Sequence, residues 1–420
     1  MTHPEPEDVI RRPGLPDTFR LLFAGVLINR LGLLAPSFLT LFLVADTTTT
    51  TTMAGGLIGV WGGGSLLGAL AGGAVADRAS PAAAILTAQT SALTACGLLA
   101  IADQPLALGV ATFLAGFAST LHKPASAVIV ATTLPATQHI HAFGLLYWAA
   151  NIGAAISPII CGVLLEHSRF WLLVLNASTA VLYACIATRI PRNTSQPHRS
   201  HHQLETPTGL FGDLITAFRH PPTARFLAMS FCLALIYLQK QSALPLDMRA
   251  HGVPPTTFGL IIAINAALII AAQPLISRIS TRLDLDVQFL FAATLIAIGF
   301  GTNMWATAWP TYALAVVIWT AGELLLVPQA SAFLVRHAPP QHVGSYQGAY
   351  HFVWNLGLVA GAPLGMALLN TAGSATTWAA ACTLGLVVAA SQSLTMLLHR
   401  RTKYRGRHTD GSARTDSTGS

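Results

Sequence analysis

The chain has 420 residues, of which 53% are hydrophobic and only 9% charged, with a formal net charge of +7 at pH 7. An ordinary soluble domain carries about 25% charged residues, so a water-facing enzyme of this size is excluded, and the apolar content excludes a disordered chain. Such a composition needs a bilayer as solvent, in which a spanning helix takes roughly 20 mainly apolar residues.

Residues 1–18 are polar, with Glu5, Glu7, Asp8, Arg11 and Arg12, and read as a tail rather than a cleavable signal. Twelve apolar segments follow, at 19–44, 53–76, 82–102, 106–133, 142–165, 171–188, 226–246, 258–277, 287–308, 312–335, 346–369 and 378–398. They are too long, and too rich in Ala, Leu and Gly without alternation, to be barrel strands. A polar stretch at 189–224, holding His198, His201 and His202, divides them six and six. The predicted fold is an all-α membrane protein of twelve transmembrane helices in two six-helix bundles, 19–188 and 225–398. The linker 189–224 and the tail 399–420 are expected in the cytoplasm.

Orientation follows from the basic residues, which favour the cytoplasmic side. Of the 23 Lys and Arg, eighteen fall on the side of the N-terminus if the segments are threaded in order, and Arg169 and Arg249 on the other. Both termini are therefore expected inside a cell membrane. The +7 charge is topological, not a nucleic-acid surface. The five cysteines, Cys96, Cys161, Cys185, Cys232 and Cys382, lie in apolar segments without CxxC spacing. They read as packing residues, and no metal or cofactor is expected.

The halves repeat. A shift of 204 positions carries Pro124 onto Pro328, Pro135 onto Pro339, Gly144 onto Gly348, Asn151 onto Asn355, Gly153 onto Gly357 and Arg78 onto Arg282. Six passes per half make the copies parallel, as in a two-bundle transporter.

Several motifs now bear on family. Gly73-Ala-Val-Ala-Asp77-Arg78 follows the second segment, and Gly153-Ala-Ala-Ile-Ser157-Pro158-Ile-Ile-Cys161-Gly162 lies in the fifth. With Asn29-Arg30-Leu-Gly32, Leu244-Pro245-Leu246, Gly322-Glu323 to Pro328, and Tyr346-Gln347-Gly348-Ala349, the chain resembles the major facilitator superfamily over about residues 18 to 400. Within it the chain is similar to bacterial twelve-helix drug/proton antiporters. The resemblance implies a conformational latch at Asp77 and Arg78 and a helix-packing signature at Gly153, Ser157, Pro158 and Gly162. Ser80, Pro81 and Ala82 replace the glycine and basic residues usual after the first motif, and Ser157 and Cys161 replace glycines of the second.

Ionisable groups inside a membrane are costly and mark pathways. They are Arg30 in the first segment, Lys123 in the fourth, Lys240 in the seventh and Glu323 in the tenth; no other predicted helix interior carries Asp, Glu, Lys or Arg. One polar helix per three-helix unit predicts a shared central cavity, lined by Asn29, Arg30, His122, Lys123, Tyr237, Gln239, Lys240 and His351. Three roles are open to Glu323: carrier of a coupling proton, partner in a structural ion pair with Lys240 or Arg30, or a helix-packing role. Asn151 and Asn355 are expected to hydrogen-bond across helices. Three cations against one acid favour a neutral or anionic substrate. The expected function is secondary active transport by a monomer: proton-coupled efflux of a small amphipathic molecule, with a proton-coupled importer as the alternative. A membrane enzyme is disfavoured by the lack of HExxH, a P-loop or paired acids, and a sensor by the lack of a sizeable soluble domain.

Overall fold

The computed structural model describes residues 15–45, 49–191, 216–280, 282–339 and 343–415. The helices are α1 (Asp17–Gly32), α2 (Pro36–Val44), α3 (Thr51–Arg78), α4 (Pro81–Ile101), α5 (Pro105–Thr133), α6 (Ala136–His167), α7 (Arg169–Thr188), α8 (Pro221–Tyr237), α9 (Ala243–Ala250), α10 (Pro255–Ser280), α11 (Leu285–Thr302) and α12 (Trp309–His337). A last helical run, Val343–Thr415, divides into α13 (343–372) and α14 (374–415) at Gly373. Counting α1 with α2 and α8 with α9 gives twelve passes among the described residues. The side chains of the predicted linker histidines and of the basic tail lie outside them.

Two predicted segments need correction, each for a backbone reason. The first segment breaks between Leu33 and Ala35, because Pro36 offers no N–H and holds Ala35 extended (φ −62°, ψ 149°). The seventh segment breaks at a short 3₁₀ turn, Leu238–Gln241. Pro245, inside α9, cannot donate to the carbonyl four residues back, that of Gln241. That carbonyl instead accepts from the Thr40 hydroxyl of α2 at 2.9 Å. Gly373, at φ 80° and ψ 176°, takes a conformation open essentially to glycine alone and turns the chain between the last two passes.

Glycine sets the tightest packing. In the first bundle Gly64, Gly68 and Gly72 of α3 lie against the backbone at Phe113, Phe117 and Leu121 of α5, and Gly116 returns the contact at Trp61. Small residues at this spacing let two helix backbones approach closely, the usual substitute for hydrophobic driving force in lipid.

The internal repeat has a physical counterpart. Gly153 on α6 lies against the Cβ of Arg30 on α1, and Gly357 on α13 lies against the Cβ of Ala234 on α8. Both pairs are related by the 204-residue shift. Asn151 Nδ2 donates to the Tyr147 carbonyl and Asn355 Nδ2 to the His351 carbonyl, each at 2.8 Å. These asparagine donors bond within their own helices, against expectation. Only Asn355 also reaches across, its Oδ1 accepting from Ser65 Oγ at 3.4 Å.

The two bundles meet along two seams. On one, Gly55, Gly59 and Gly62 of α3 pack against Met366, Pro363 and Val359 of α13. On the other, Gly162 of α6 packs against Pro255 and Thr256, and Gly259 of α10 packs against Pro158. Beyond these contacts the same helix faces part. About two to four turns further from α2 and α9, Gly73, Gly144 and Gly348 face open space, and Leu70 and Trp148 are exposed. The molecule is a V, closed at the end bearing α2 and α9 and open at the end where α1 begins.

Candidate functional site

The second bundle carries a compact polar cluster. Lys240 lies in the 3₁₀ turn, and its Nζ donates to the hydroxyl of Tyr237 three residues earlier. The ammonium sits 3.9 Å from the centroid of the Tyr237 ring and 5.1 Å from that of Trp319, within cation–π range. Tyr237 packs edge-on against Trp319 and Trp354, each with ring centroids 5.5 Å apart. One turn beyond Trp319 on α12, Glu323 is half-buried. Its Oε2 accepts from Asn265 Nδ2 of α10 at 2.7 Å, and the same amide donates to Thr320 Oγ1 at 3.0 Å. Glu323 faces Tyr237, Lys240 and Tyr350 closely enough to act electrostatically on all three. It forms no ion pair with any described Lys or Arg: those seen include Arg20–Asp17 and His251–Asp247, not Glu323.

The first bundle carries cations without a described acid beside them. Arg30 of α1 and Lys123 of α5 both act on the buried His122, and Arg30 on Lys123. His122 Nδ1 lies 3.4 Å from the Ala118 carbonyl, and its ring meets Tyr183 edge-on at 6.1 Å. Lys123 and His351 are exposed on opposite bundles, and Lys123 acts on His351 across the gap. Tyr147 of the first bundle reaches the field of Tyr237 in the second. Tyr350 touches His351 at 5.8 Å and Trp354 at 5.9 Å, so α13 runs from one charged group to the other.

Three predicted cavity residues are placed elsewhere, the first being His122, buried against Tyr183 inside the first bundle. Gln239 is buried within the second bundle, where Nε2 donates to the Gly361 carbonyl at 2.7 Å and Oε1 accepts from Ser242 Oγ at 3.0 Å. Asn29 lines a small void of about 30 Å³ inside the first bundle, with Gln89, Cys96, Ser119 and Asn176. Helical neighbours diverge by about 100°, so Asn29 and Gln239 leave the faces of Arg30 and Lys240.

Arg78 is exposed at the end of α3, and the Asp77 side chain lies outside the described residues. The signature residues Gly153, Ser157, Pro158 and Gly162 are buried. Gly153 admits Arg30, while Pro158 and Gly162 form half of the α6–α10 seam. Ser157 Oγ lies 3.7 Å from Cys161 Sγ.

One ionisable residue escaped the sequence reading. Asp247, just past the predicted seventh segment, is 1% exposed inside α9. Its Oδ2 accepts from Tyr312 OH at 2.8 Å and Trp378 Nε1 at 2.9 Å. His251 Nδ1 stands 3.6 Å from Oδ1. These bonds tie α9 to α12 and α14 beside the Thr40 contact. The signal was available in principle: a lone acid one residue beyond an apolar run that is broken by Pro245.

Three comparisons bear on this architecture. A family model described as the Major Facilitator Superfamily matches residues 22–246 and 241–417. An uncharacterized MFS-type transporter, YttB of Bacillus subtilis (strain 168), is 25% identical over 80% of this chain and 84% of its own length. A Na(+), Li(+), K(+)/H(+) antiporter of Planococcus maritimus is 23% identical over 69% of this chain and 74% of its own. Among solved structures, the nucleoside transporter NupG superposes with a TM-score of 0.74 at 13% identity, covering 91% of this chain and 99% of the other.

Proposed function

This chain belongs to the Major Facilitator Superfamily and is a multi-pass membrane transporter, and we propose that it exports a small amphipathic molecule in exchange for protons by alternating access. The observation that carries the reading is the setting of Glu323. A carboxylate held by a neutral amide accepts a proton without breaking an ion pair. Protonation removes the negative field acting on Tyr237 and Lys240. The charge balance of the second bundle then changes with each proton, which is what coupling requires.

Direction rests on three supports. The fifth-helix pattern around Pro158 is similar to that of antiporters, and a relative carries an antiporter name. With both termini in the cytoplasm, as the Lys and Arg distribution favours, the V opens inward, the state in which an exporter loads. The protein then works as a monomer in the cell membrane, with Arg78 and Asp77 latching the inner face in the alternate state. Proton-coupled import is the second reading, favoured by the Ser157 and Cys161 departures from the antiporter pattern.

Inside-out vesicles with an imposed pH gradient separate the two readings, because an exporter accumulates substrate in them when their interior is acidic. Glu323→Gln is expected to abolish uphill transport and retain counterflow exchange. Undiminished uphill transport by that variant refutes the proton role.

A further inference from the structure

We propose that the transported molecule is an anion, and that Arg30, Lys123 and His351 receive its charged group in the gap between the bundles. The inference rests on the transporter reading above and gives it a substrate class. Its first support is an absence of counter-charge. Among the described residues, neither Arg30 nor Lys123 has a carboxylate within ion-pair distance. Arg30 Nε is buried without a hydrogen-bond partner. A guanidinium offers five donors in a planar fork suited to carboxylates and phosphates, and a buried donor left unpaired is destabilising. Like-charged groups close enough to act on one another at membrane depth are costly unless something supplies negative charge.

The second support is accessibility. Lys123 and His351 are both exposed, one on each bundle. The α6 face that passes Asn151 continues to Tyr147 and Trp148, exposed by 57% and 52% at the open end of the V. A charged head at Arg30 and Lys123 therefore has aromatic surface beside it for an apolar body.

The third support is how the repeats differ. The 204-residue shift pairs Arg30 with Ala234, Lys123 with Val327, and Ser119 with Glu323. Packing glycines are matched between the halves, as Gly153 and Gly357 show, while charge within the predicted helix interiors is not. Arg30 and Lys123 belong to the first bundle without a described acid beside them, whereas the second holds Glu323 together with Lys240. A cationic substrate would have to compete with Lys240 for Glu323 and then face Arg30 and Lys123. An anionic one meets complementary charge in the first bundle and leaves Glu323 to the proton.

The test is equilibrium dialysis of the full-length protein in neutral detergent against 2-naphthoate and 2-naphthylmethylammonium, which share a ring system and differ in charge. Naphthoate is expected to bind about tenfold or more tightly, the scale of one or two charge-assisted hydrogen bonds. Arg30→Gln and Lys123→Gln each remove most of that preference, and Arg30→Lys keeps it. Lys123 is exposed, so its variant carries the test if Arg30→Gln fails to fold. Equal or reversed preference in the wild type, or no saturable naphthoate binding, overturns the assignment, as does a preference that survives Lys123→Gln. Glu323→Gln separates this idea from the one beneath it. Lost pH-driven transport in that variant without wild-type anion preference sinks the anion site alone. Anion preference with undiminished uphill transport by that variant sinks the proton site alone.

Discussion

Removing the Tyr312 hydroxyl tests whether Asp247 anchors α9. Tyr312→Phe deletes one oxygen from a fully buried ring and leaves no side-chain-sized cavity. What is lost is a donor 2.8 Å from a buried carboxylate that has one other strong partner on the same oxygen, Trp378 Nε1 at 2.9 Å, together with the hydroxyl's contact to His251 Nδ1 at 3.0 Å. A hydrogen bond to a charged group contributes about 1.5–3 kcal/mol, against about 0.5–1.5 kcal/mol between neutral groups. The substitution should therefore destabilise the protein by about 2 kcal/mol, and by only about 1 kcal/mol in an Asp247→Asn background. The difference is the coupling energy, and directly contacting residues commonly show values of this size. SDS-titrated unfolding in detergent micelles measures both arms of the cycle. Hydrogen exchange should show the amides of α9 opening faster in Tyr312→Phe, with those of α5 unchanged. Equal losses in the two backgrounds would refute the anchoring argument, because the hydroxyl would then be acting on something other than the Asp247 charge.

Three further perturbations address the V and its hinges. Glu166 Oε1 of α6 accepts from the Thr256 N–H at the start of α10, at 2.9 Å, so it caps a helix of the other bundle. Glu166→Ala should weaken the closed end by about 0.5–2 kcal/mol, read as a longer spin-label distance between the ends of α6 and α10; an unchanged distribution counts against it. Gly259→Leu places a side chain where the Pro158 carbonyl already sits and should prevent closure and stop transport in vesicles, whereas Gly144→Ala, which meets nothing within 4 Å, should leave transport unaltered. Gly373→Ala meets no neighbour either but must hold φ 80°. It should cost about 1–3 kcal/mol in SDS unfolding from backbone strain alone, and a neutral result would mean the α13–α14 turn has another conformation.

The sequence carried the architecture because membrane physics writes it in long, redundant signals. Each pass needs some twenty apolar residues, so twelve segments stand out even where boundaries slip. Repeated Pro and Gly positions, such as Pro124 with Pro328 and Gly153 with Gly357, disclosed the parallel halves, and the Gly153–Arg30 and Gly357–Ala234 contacts give that repeat its geometry. The breaks in the first and seventh passes were also written, in Pro36 and Pro245, but a hydropathy average runs straight over one proline. Asp247 was lost for a different reason. Its burial depends on Tyr312 and Trp378, which are 65 and 131 residues away, and no local window contains them.

The errors at the site follow one rule. Adjacency in sequence groups Asn29 with Arg30 and Gln239 with Lys240. On a helix adjacent residues point about 100° apart, and those three or four positions apart share a face. The pairs that do meet have that spacing: Lys240 bonds Tyr237, three residues back, and Trp319 and Glu323, four apart on α12, both face Tyr237. The same rule assigns the faces of α6 and α13. Stepping from the seam at Pro158 toward the open end reaches Asn151, Trp148 and Gly144. Stepping from Pro363 reaches Val359, Asn355, His351 and Gly348. The two stripes run from packed proline to glycine facing open space, and the charged and aromatic side chains occupy the turns between. A group placed there is shielded by the closed seam on one side and reachable from the open end on the other, the condition an alternating-access site must meet in each of its states.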